Sequence, residues 1–312
     1  MQVTTHAPGR VCLLGDKVDL LGRPVIAAAI SKFFRFNFKP INEPVVRFHF
    51  HQINQHFERD FNINQSNEFF KFFSQISWVL KDKIGPFECN VEGDLPIGAG
   101  LSSSAACSVG FINGLNKLFD LKMQVHDIAE LAYKVEHNDL GIMCGRMDQY
   151  SIAYGGITFI ETGDQTTVTY LPKMSIPLII GDSCEPRKAS SVLNFTMDRL
   201  RKNDPHFLKC FDIISECVSK GLDAIKKNDL IELGLRMSIQ QSMEKAIYAS
   251  TKKLDAMCDA AIAAGALGAK QIGAGGGGCM IALCPNNMDK VMQAVKSLGA
   301  NVWKADIYHY NI

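Results

Sequence analysis

No apolar run in the sequence reaches about 18 residues, the length a membrane-crossing helix needs, so no transmembrane segment is expected. Charge of one sign is also missing. Against 33 lysines and arginines stand 32 aspartates and glutamates, a net of +1. That balance provides no field for nucleic acid or an anionic membrane surface, and neither partner is expected. There is no Cys-x-x-Cys pair, and no secretory leader is expected. The ten cysteines (Cys12, Cys89, Cys107, Cys144, Cys184, Cys210, Cys217, Cys258, Cys279 and Cys284) are scattered. They read as reduced core thiols of a cytoplasmic protein. What is present is a chain of 312 residues, 47% hydrophobic, able to bury one large core or two moderate ones. Its length favours two.

The most informative stretch is Asp94-Leu95-Pro96-Ile97-Gly98-Ala99-Gly100-Leu101-Ser102-Ser103-Ser104-Ala105-Ala106. Leu95 closes a predicted strand, Pro96 stops it, and Gly98 and Gly100 allow backbone geometries that a side chain blocks. A helix then starts in the Ser/Ala run. The first turn of a helix has unpaired N–H donors and partial positive charge. Three serine hydroxyls there suit a polyphosphate, one of them reaching a magnesium ion. The residues alone are equally compatible with a tight strand-to-helix turn packed closely on a sheet. They form neither a P-loop, since no Gly-Lys-Ser/Thr follows, nor a Rossmann fingerprint, since the glycine spacing differs.

The run from Pro96 to Ala106 does resemble the ATP-binding loop of the GHMP small-molecule kinases, the family of galactokinase, homoserine kinase, mevalonate kinase and phosphomevalonate kinase. The resemblance implies that Pro96, Gly98, Gly100, Leu101, Ser102, Ser103, Ser104 and Ala105 bind ATP.

Upstream, Met1 to Thr5 reads as a strand that Ala7-Pro8-Gly9-Arg10 breaks and Val11 to Leu14 resumes. Gly15-Asp16-Lys17-Val18-Asp19 follows. By themselves its carboxylates read as turn residues. The whole segment from Ala7 to Asp19 resembles the galactokinase opening Ala-Pro-Gly-Arg-Val-Asn-Leu-Ile-Gly-Glu-His-Thr-Asp. On that resemblance Arg10 assists catalysis, and Asp16, Lys17 and Asp19 bond to sugar hydroxyls. Two positions depart: Glu is replaced by the shorter Asp16, and His by Lys17, which donates but does not accept. A lysine there raises an acidic sugar as a possible acceptor.

Residues 31–93 show little chemistry. Phe34 to Phe38 and Val46 to His51 alternate as strands with one apolar face. His49 and His51 share the other face without a third ligand nearby, which favours a solvated surface over a metal site. Phe69, Phe70, Phe72, Phe73, Ile76, Val79 and Leu80 recur at helical spacing and are expected in the core. Helices are expected over Ala105–Phe119 and Val125–Glu136.

A second motif spans Glu136-His137-Asn138-Asp139-Leu140-Gly141-Ile142-Met143-Cys144-Gly145-Arg146-Met147-Asp148-Gln149. Taken alone, Asp148 reads as the N-cap of the following helix. The motif resembles galactokinase, with the same twelve-position step from Glu to Asp. That implies a catalytic carboxylate at Asp148, substrate contact at Gly145, and magnesium held by Glu136 with Ser104.

After a turn into a strand at 154–160, a hairpin partner is expected over Thr167–Leu171, beyond the Thr162–Gln165 turn, and a buried strand over Pro177–Asp182. The pattern is mainly helical from Arg187 to about Gly265. Arg187, Lys188 and Arg201 are candidates for a second phosphate site, with solvated helix ends favoured. Then Gly273-Ala274-Gly275-Gly276-Gly277-Gly278-Cys279 puts five glycines in six positions before an apolar strand. This run resembles the third GHMP motif in its mevalonate kinase form and implies substrate contact at Gly275 and Gly276. A helix, Met288–Leu298, and a strand, Asn301–Tyr308, are expected to close the chain.

Three motifs in family order imply an α/β (α+β) fold of two lobes. The N-terminal lobe (1–165) is expected to resemble ribosomal protein S5, and the C-terminal lobe (166–312) a ferredoxin-like sandwich. The implied activity is ATP- and Mg2+-dependent phosphorylation of a monosaccharide, at the anomeric hydroxyl, by a monomer or homodimer. The alternatives are a kinase of mevalonate or a related small alcohol, supported by the third motif and by Gly22-x-Pro24-x-Ile26-Ala27-Ala28-Ala29-Ile30, and a catalytically silent ligand sensor.

Overall fold

A computed structural model describes residues 2–163 and 165–310. In chain order the elements are β1 (Val3–Leu14), β2 (Val25–Pro40), β3 (Val45–Phe50), β4 (Gln55–Asp60), α1 (Lys71–Val79), β5 (Phe87–Gly93), α2 (Ser103–Leu118), α3 (Val125–Lys134), α4 (Met147–Tyr154), β6 (Ile157–Glu161) and β7 (Thr167–Tyr170). There follow β8 (Leu178–Asp182), α5 (Ala189–Arg201), α6 (Pro205–Lys226), α7 (Leu230–Ala246), α8 (Lys252–Ala263), β9 (Gly268–Gln271), β10 (Cys279–Leu283), α9 (Met288–Lys296) and β11 (Asn301–Ala305). Asp164, in the expected Thr162–Gln165 turn, lies outside the described residues.

Packing divides the chain into two units without one linear boundary. The first holds residues up to 9, 32–95 and 102–154; the second holds 10–31, 96–101 and 155 onward. Strands β1 and β2 each run from one unit into the other. The expected break at Ala7–Arg10 does not occur, since β1 is continuous from Val3 to Leu14. Its one strand neighbour among the described residues is β2, and on the other edge the missing N–H of Pro8 disrupts no ladder.

In the first unit the distal half of β2 pairs antiparallel with β5, from Phe34 opposite Gly93 to Pro40 opposite Phe87. Strand β5 runs parallel to β3, which pairs antiparallel with β4. Alternation buries Phe34, Phe36 and Phe38 of β2, Phe48 of β3 and Phe87 of β5. Phe73 of α1 and Phe111 of α2 close this core, their rings stacked 4.6 Å apart. Each such buried ring stabilises the fold by about 1.5–3 kcal/mol. Helix α2 comes close enough that a Cβ on Gly110 would lie 2.2 Å from Phe36 Cε2 and one on Gly114 1.9 Å from Phe38 Cε2. Two residues expected in the core are outside it: Phe69 precedes α1 and is 58% exposed, and Val79, at its last turn, is 46% exposed.

In the second unit, β8, β9, β10 and β11 form an antiparallel sheet in the order β11-β8-β10-β9. Numbered within the sheet this is 4-1-3-2, with helices between β8 and β9 and between β10 and β11, as in a ferredoxin-like sandwich. Leu254, Met257 and Ala261 of α8 and Val291 and Val295 of α9 join Ile179, Met280 and Ala282 in its core. The proximal half of β2 pairs with β6, and β6 with β7. Seven of the ten cysteines are buried, but Cys107 and Cys144 are half-buried and Cys184 is exposed, so the thiols are not all in the core. Among the described residues no helix is long and apolar enough to cross a membrane.

Candidate active site

In the first unit the site is built on the start of α2, the turn after α3 and the start of α4. Ser102, the residue before α2, adopts a left-handed conformation (φ 60°) and does not cap the helix with its side chain. Its hydroxyl donates instead to Asp148 Oδ2 at 2.6 Å. Ser102, expected on the nucleotide, is in this structure bonded to the carboxylate of the second motif. Asp148 is the second residue of α4, two positions past the N-cap residue Arg146, so it is not the N-cap that its local sequence suggests.

Helix α3 runs on into a π-helical turn, Val135–Asp139, which carries Glu136. Such turns frequently mark functional positions. Glu136 is buried and accepts a hydrogen bond from Gln149 Nε2 at 2.8 Å. Burial, and after it the negative charge of Asp148, pushes the Glu136 carboxyl up to about 7, against the hydrogen bonds from Gln149 and Ser104. Gln149 Oε1 is buried and accepts no hydrogen bond among the described residues. A hydroxyl, a carboxylate and an unpartnered amide oxygen in one place are an all-oxygen donor set of the kind hard divalent cations take. No cluster of three or more His, Cys, Asp or Glu suited to a metal occurs among the described residues. Gly145 is half-buried in the turn ahead of α4. Arg146, beside it, ties that turn to α3 through Glu130, Nε to Oε2 at 3.2 Å.

In the second unit the loop 96–101 has positive φ at Gly98 (75°) and Gly100 (92°). A Cβ on Gly98 would meet nothing within 4 Å, so that turn borders open space. Arg10 grips the loop twice: its backbone N–H donates to the Leu101 carbonyl at 3.1 Å and its Nη1 to the Gly100 carbonyl at 2.9 Å. Arg187 is no solvated helix end. It is half-buried, its Cδ would lie 3.0 Å from a Cβ on Gly278, and its Cζ 3.8 Å from one on Gly100.

Asp16 and Lys17 are turned into the protein. Asp16 is fully buried, pairs with Lys270 of β9, and accepts from the Gly273 N–H and from Gln240 Nε2, the last at 2.8 Å. Lys17 Nζ lies 2.6 Å from Glu244 Oε2 and donates to the Gly273 carbonyl at 3.1 Å. Burial alone would raise the Asp16 carboxyl, but the charges of Lys270 and Lys17 and its hydrogen bonds hold it below its ordinary value. Burial works to lower the Lys270 ammonium, and Asp16 overrides it upward. Glu244 goes the other way from Asp16: burial raises its carboxyl more than Lys17 lowers it, and Asp16 adds to the rise. Its 2.6 Å contact with Lys17 has the geometry of an ion pair. Asp19 is half-buried in the short helical turn Val18–Leu21.

The glycine-rich loop is close-packed. A Cβ on Gly275 would lie 2.1 Å from the Ala249 carbonyl oxygen, and one on Gly276 2.9 Å from Val192 Cγ2. The segment after β8 is bonded to the same loop, through Ser183 N–H to Gly278 O and Lys188 N–H to Gly276 O. Sequence reasoning missed Lys270, Glu244 and Gln240. The signals were a lysine inside an apolar strand leading to a glycine run, and Gln240 and Glu244 one helical turn apart on α7.

Comparison with known proteins places these features. The profile described as "GHMP kinases N terminal domain" matches residues 71–156, and "GHMP kinases C terminal" matches 222–301. A mevalonate kinase of Pyrococcus furiosus is 31% identical over 96% of this chain and 94% of its own length. The chain belongs to the GHMP kinase family. A galactokinase of the same organism is 27% identical, covering 93% of this chain and 91% of its own. The fold agrees with a mevalonate kinase crystal structure (TM-score 0.83, 22% identity, covering 99% of this chain and 100% of the other). It agrees equally with Lactococcus lactis galactokinase complexed with galactose (TM-score 0.85, 19% identity, 99% and 94%). GHMP kinases are ATP-dependent phosphotransferases with alcohol acceptors, and this chain has both features of galactokinases and features of mevalonate kinases.

Proposed function

We propose that this GHMP kinase transfers the γ-phosphoryl group of ATP to a hydroxyl of a small alcohol of the mevalonate type. The observation that carries this reading is the engagement of Asp16 and Lys17. The galactokinase resemblance gives both positions to sugar hydroxyls, yet Asp16 is bound to Lys270, Gly273 and Gln240, and Lys17 to Glu244 and Gly273. With its charge matched by Glu244, Lys17 is also poorly suited to select an acidic sugar. The 31% identity to a mevalonate kinase, against 27% to a galactokinase, supports the same acceptor.

In this mechanism Asp148 orients the acceptor hydroxyl and takes its proton as the new P–O bond forms and the bond to the ADP leaving group breaks. Ser102 fixes the Asp148 carboxylate. The loop 96–101, with Arg187 beside it, surrounds phosphate oxygens, and Arg10 holds the loop and stabilises charge developing in transfer. Ser104 and Glu136 would hold Mg2+, which when bound neutralises phosphate charge.

A second reading, a sugar kinase, is favoured by the Glu136-to-Asp148 interval and by Asp19, a carboxylate with no counterpart task on methyl and methylene groups. ADP release from Mg-ATP, measured in parallel with (R)-mevalonate, galactose and a panel of hexoses, pentoses and uronates, separates the two. Turnover with mevalonate and none with the sugars is expected. A sugar turned over while mevalonate is inert reverses the assignment, and ATP binding without turnover of any acceptor favours the silent sensor.

A further inference from the structure

Four charged side chains are buried together in the second unit: Asp16, Lys17, Glu244 and Lys270. Buried ion pairs add little stability over well-packed apolar side chains of the same size, so stability is a weak reason for them. What charges supply and hydrocarbons do not is a directed grip on a peptide. Gly273 receives that grip at both of its polar atoms, its N–H held by Asp16 and its carbonyl by Lys17. Lys17 does so from a left-handed conformation, φ 70°, which costs a residue with a side chain about 1–2 kcal/mol.

Gly273 borders the transfer machinery within this unit. A Cβ there would lie 3.7 Å from the Gly100 carbonyl oxygen, 3.7 Å from Arg187 Nη2 and 3.9 Å from Arg10 Nη2. We propose that Lys17 and Glu244 are a positioning pair for phosphoryl transfer: Glu244 holds the Lys17 ammonium on the Gly273 carbonyl, and the fixed Gly273 sets the place of Arg10 and of Gly100. Glu244 is itself fixed by Gln271 Nε2 at 3.2 Å and Gln240 Nε2 at 3.4 Å. Lys17 is then an internal strut at a position which the galactokinase pattern gives to a substrate-reading histidine. A misplacement of about 1 Å at such a site costs up to about 100-fold in rate, so the pair acts on kcat more than on ATP binding.

Two variants test the pair: Glu244→Gln, which leaves Lys17 unpaired, and the double replacement Lys17→Met/Glu244→Met, which removes both charges at similar volume. The kinetic arm uses Mg-ATP and (R)-mevalonate and rests on the acceptor proposed above; the second arm, hydrogen–deuterium exchange of the segment 272–280, does not. Glu244→Gln is expected to lower kcat by about tenfold or more with KM for ATP within about threefold, and to speed exchange across 272–280. The double variant is expected to regain the parent melting temperature without regaining kcat or protection, which a merely structural pair would restore together. Parent-like exchange in the double variant, or recovery of kcat along with melting temperature, overturns the proposal. If the parent protein does not turn over mevalonate, the acceptor assignment fails, and exchange alone decides the pair: lost protection supports it and retained protection refutes it.

Discussion

At the scale of the residue, the buried pair of Asp16 and Lys270 sets how stability responds to pH. The Asp16 carboxyl is held below its ordinary 3.8, so its contribution is complete above about pH 4 and is lost as pH falls through the lower folded value. Lys270 is raised above 10.5, so its contribution is complete below that pH and is lost only at higher alkalinity. Asp16→Asn leaves the buried Lys270 ammonium unpaired and is expected to cost about 3–5 kcal/mol at pH 7. Melting curves from pH 7 to pH 2 should also flatten on the acid side in this variant; an unchanged melting temperature would mean that the two side chains are not paired. None of this was legible in the sequence. Asp16 lies 254 positions from Lys270, 257 from Gly273 and 224 from Gln240, and no local periodicity relates them. The local spacing around Asp148 suggested an N-cap, and only the motif pointed to a catalytic role. Its bond with Ser102 spans 46 positions and was hidden too.

At the scale of the element, the placement of α2 matters most, because its first turn carries Ser103 and Ser104. It is seated by two glycines against rings of β2. Gly114→Ala gains helix propensity of up to about 1 kcal/mol, but its Cβ would meet Phe38 Cε2 at 1.9 Å, and overpacking of this kind costs about 1–3 kcal/mol. A net loss of stability is expected, read as a lower urea midpoint; a raised midpoint would show that the ring has room to move. Periodicity made most elements readable: the alternating phenylalanines of β2 and β3 and the helical stretch after Arg187. It failed where local chemistry and tertiary position disagree. Ala7-Pro8-Gly9 reads as a breaker, but among the described residues β1 has a strand partner on one edge only, and the other edge tolerates proline. Phe69, ahead of α1, and Val79, its last residue, are exposed although their neighbours Phe70 and Leu80 are buried, so an apolar residue in this stretch does not by itself give the buried face.

At the scale of the whole molecule, the family's two profiles end at 156 and begin at 222, and a division by descent near residue 165 is a proposal. The packing units cut across it, since 10–31 and 96–101 belong with the C-terminal part. Those two segments contain Arg10, Asp16, Lys17 and the glycine loop. A linear reading could identify their motifs but not their company, because β1 and β2, which flank 10–31, continue into the other unit, and 96–101 is a loop whose two neighbours in sequence belong there. The central claim is that Asp148 serves phosphoryl transfer to an alcohol, and product analysis with Mg-ATP and (R)-mevalonate tests it most directly, by 31P NMR on the parent protein and on Asp148→Asn. The account predicts a new phosphomonoester formed one-for-one with ADP by the parent, and loss of at least about 100-fold in rate with ATP binding retained in the variant. A variant that still makes the phosphomonoester within about tenfold of the parent rate would contradict it.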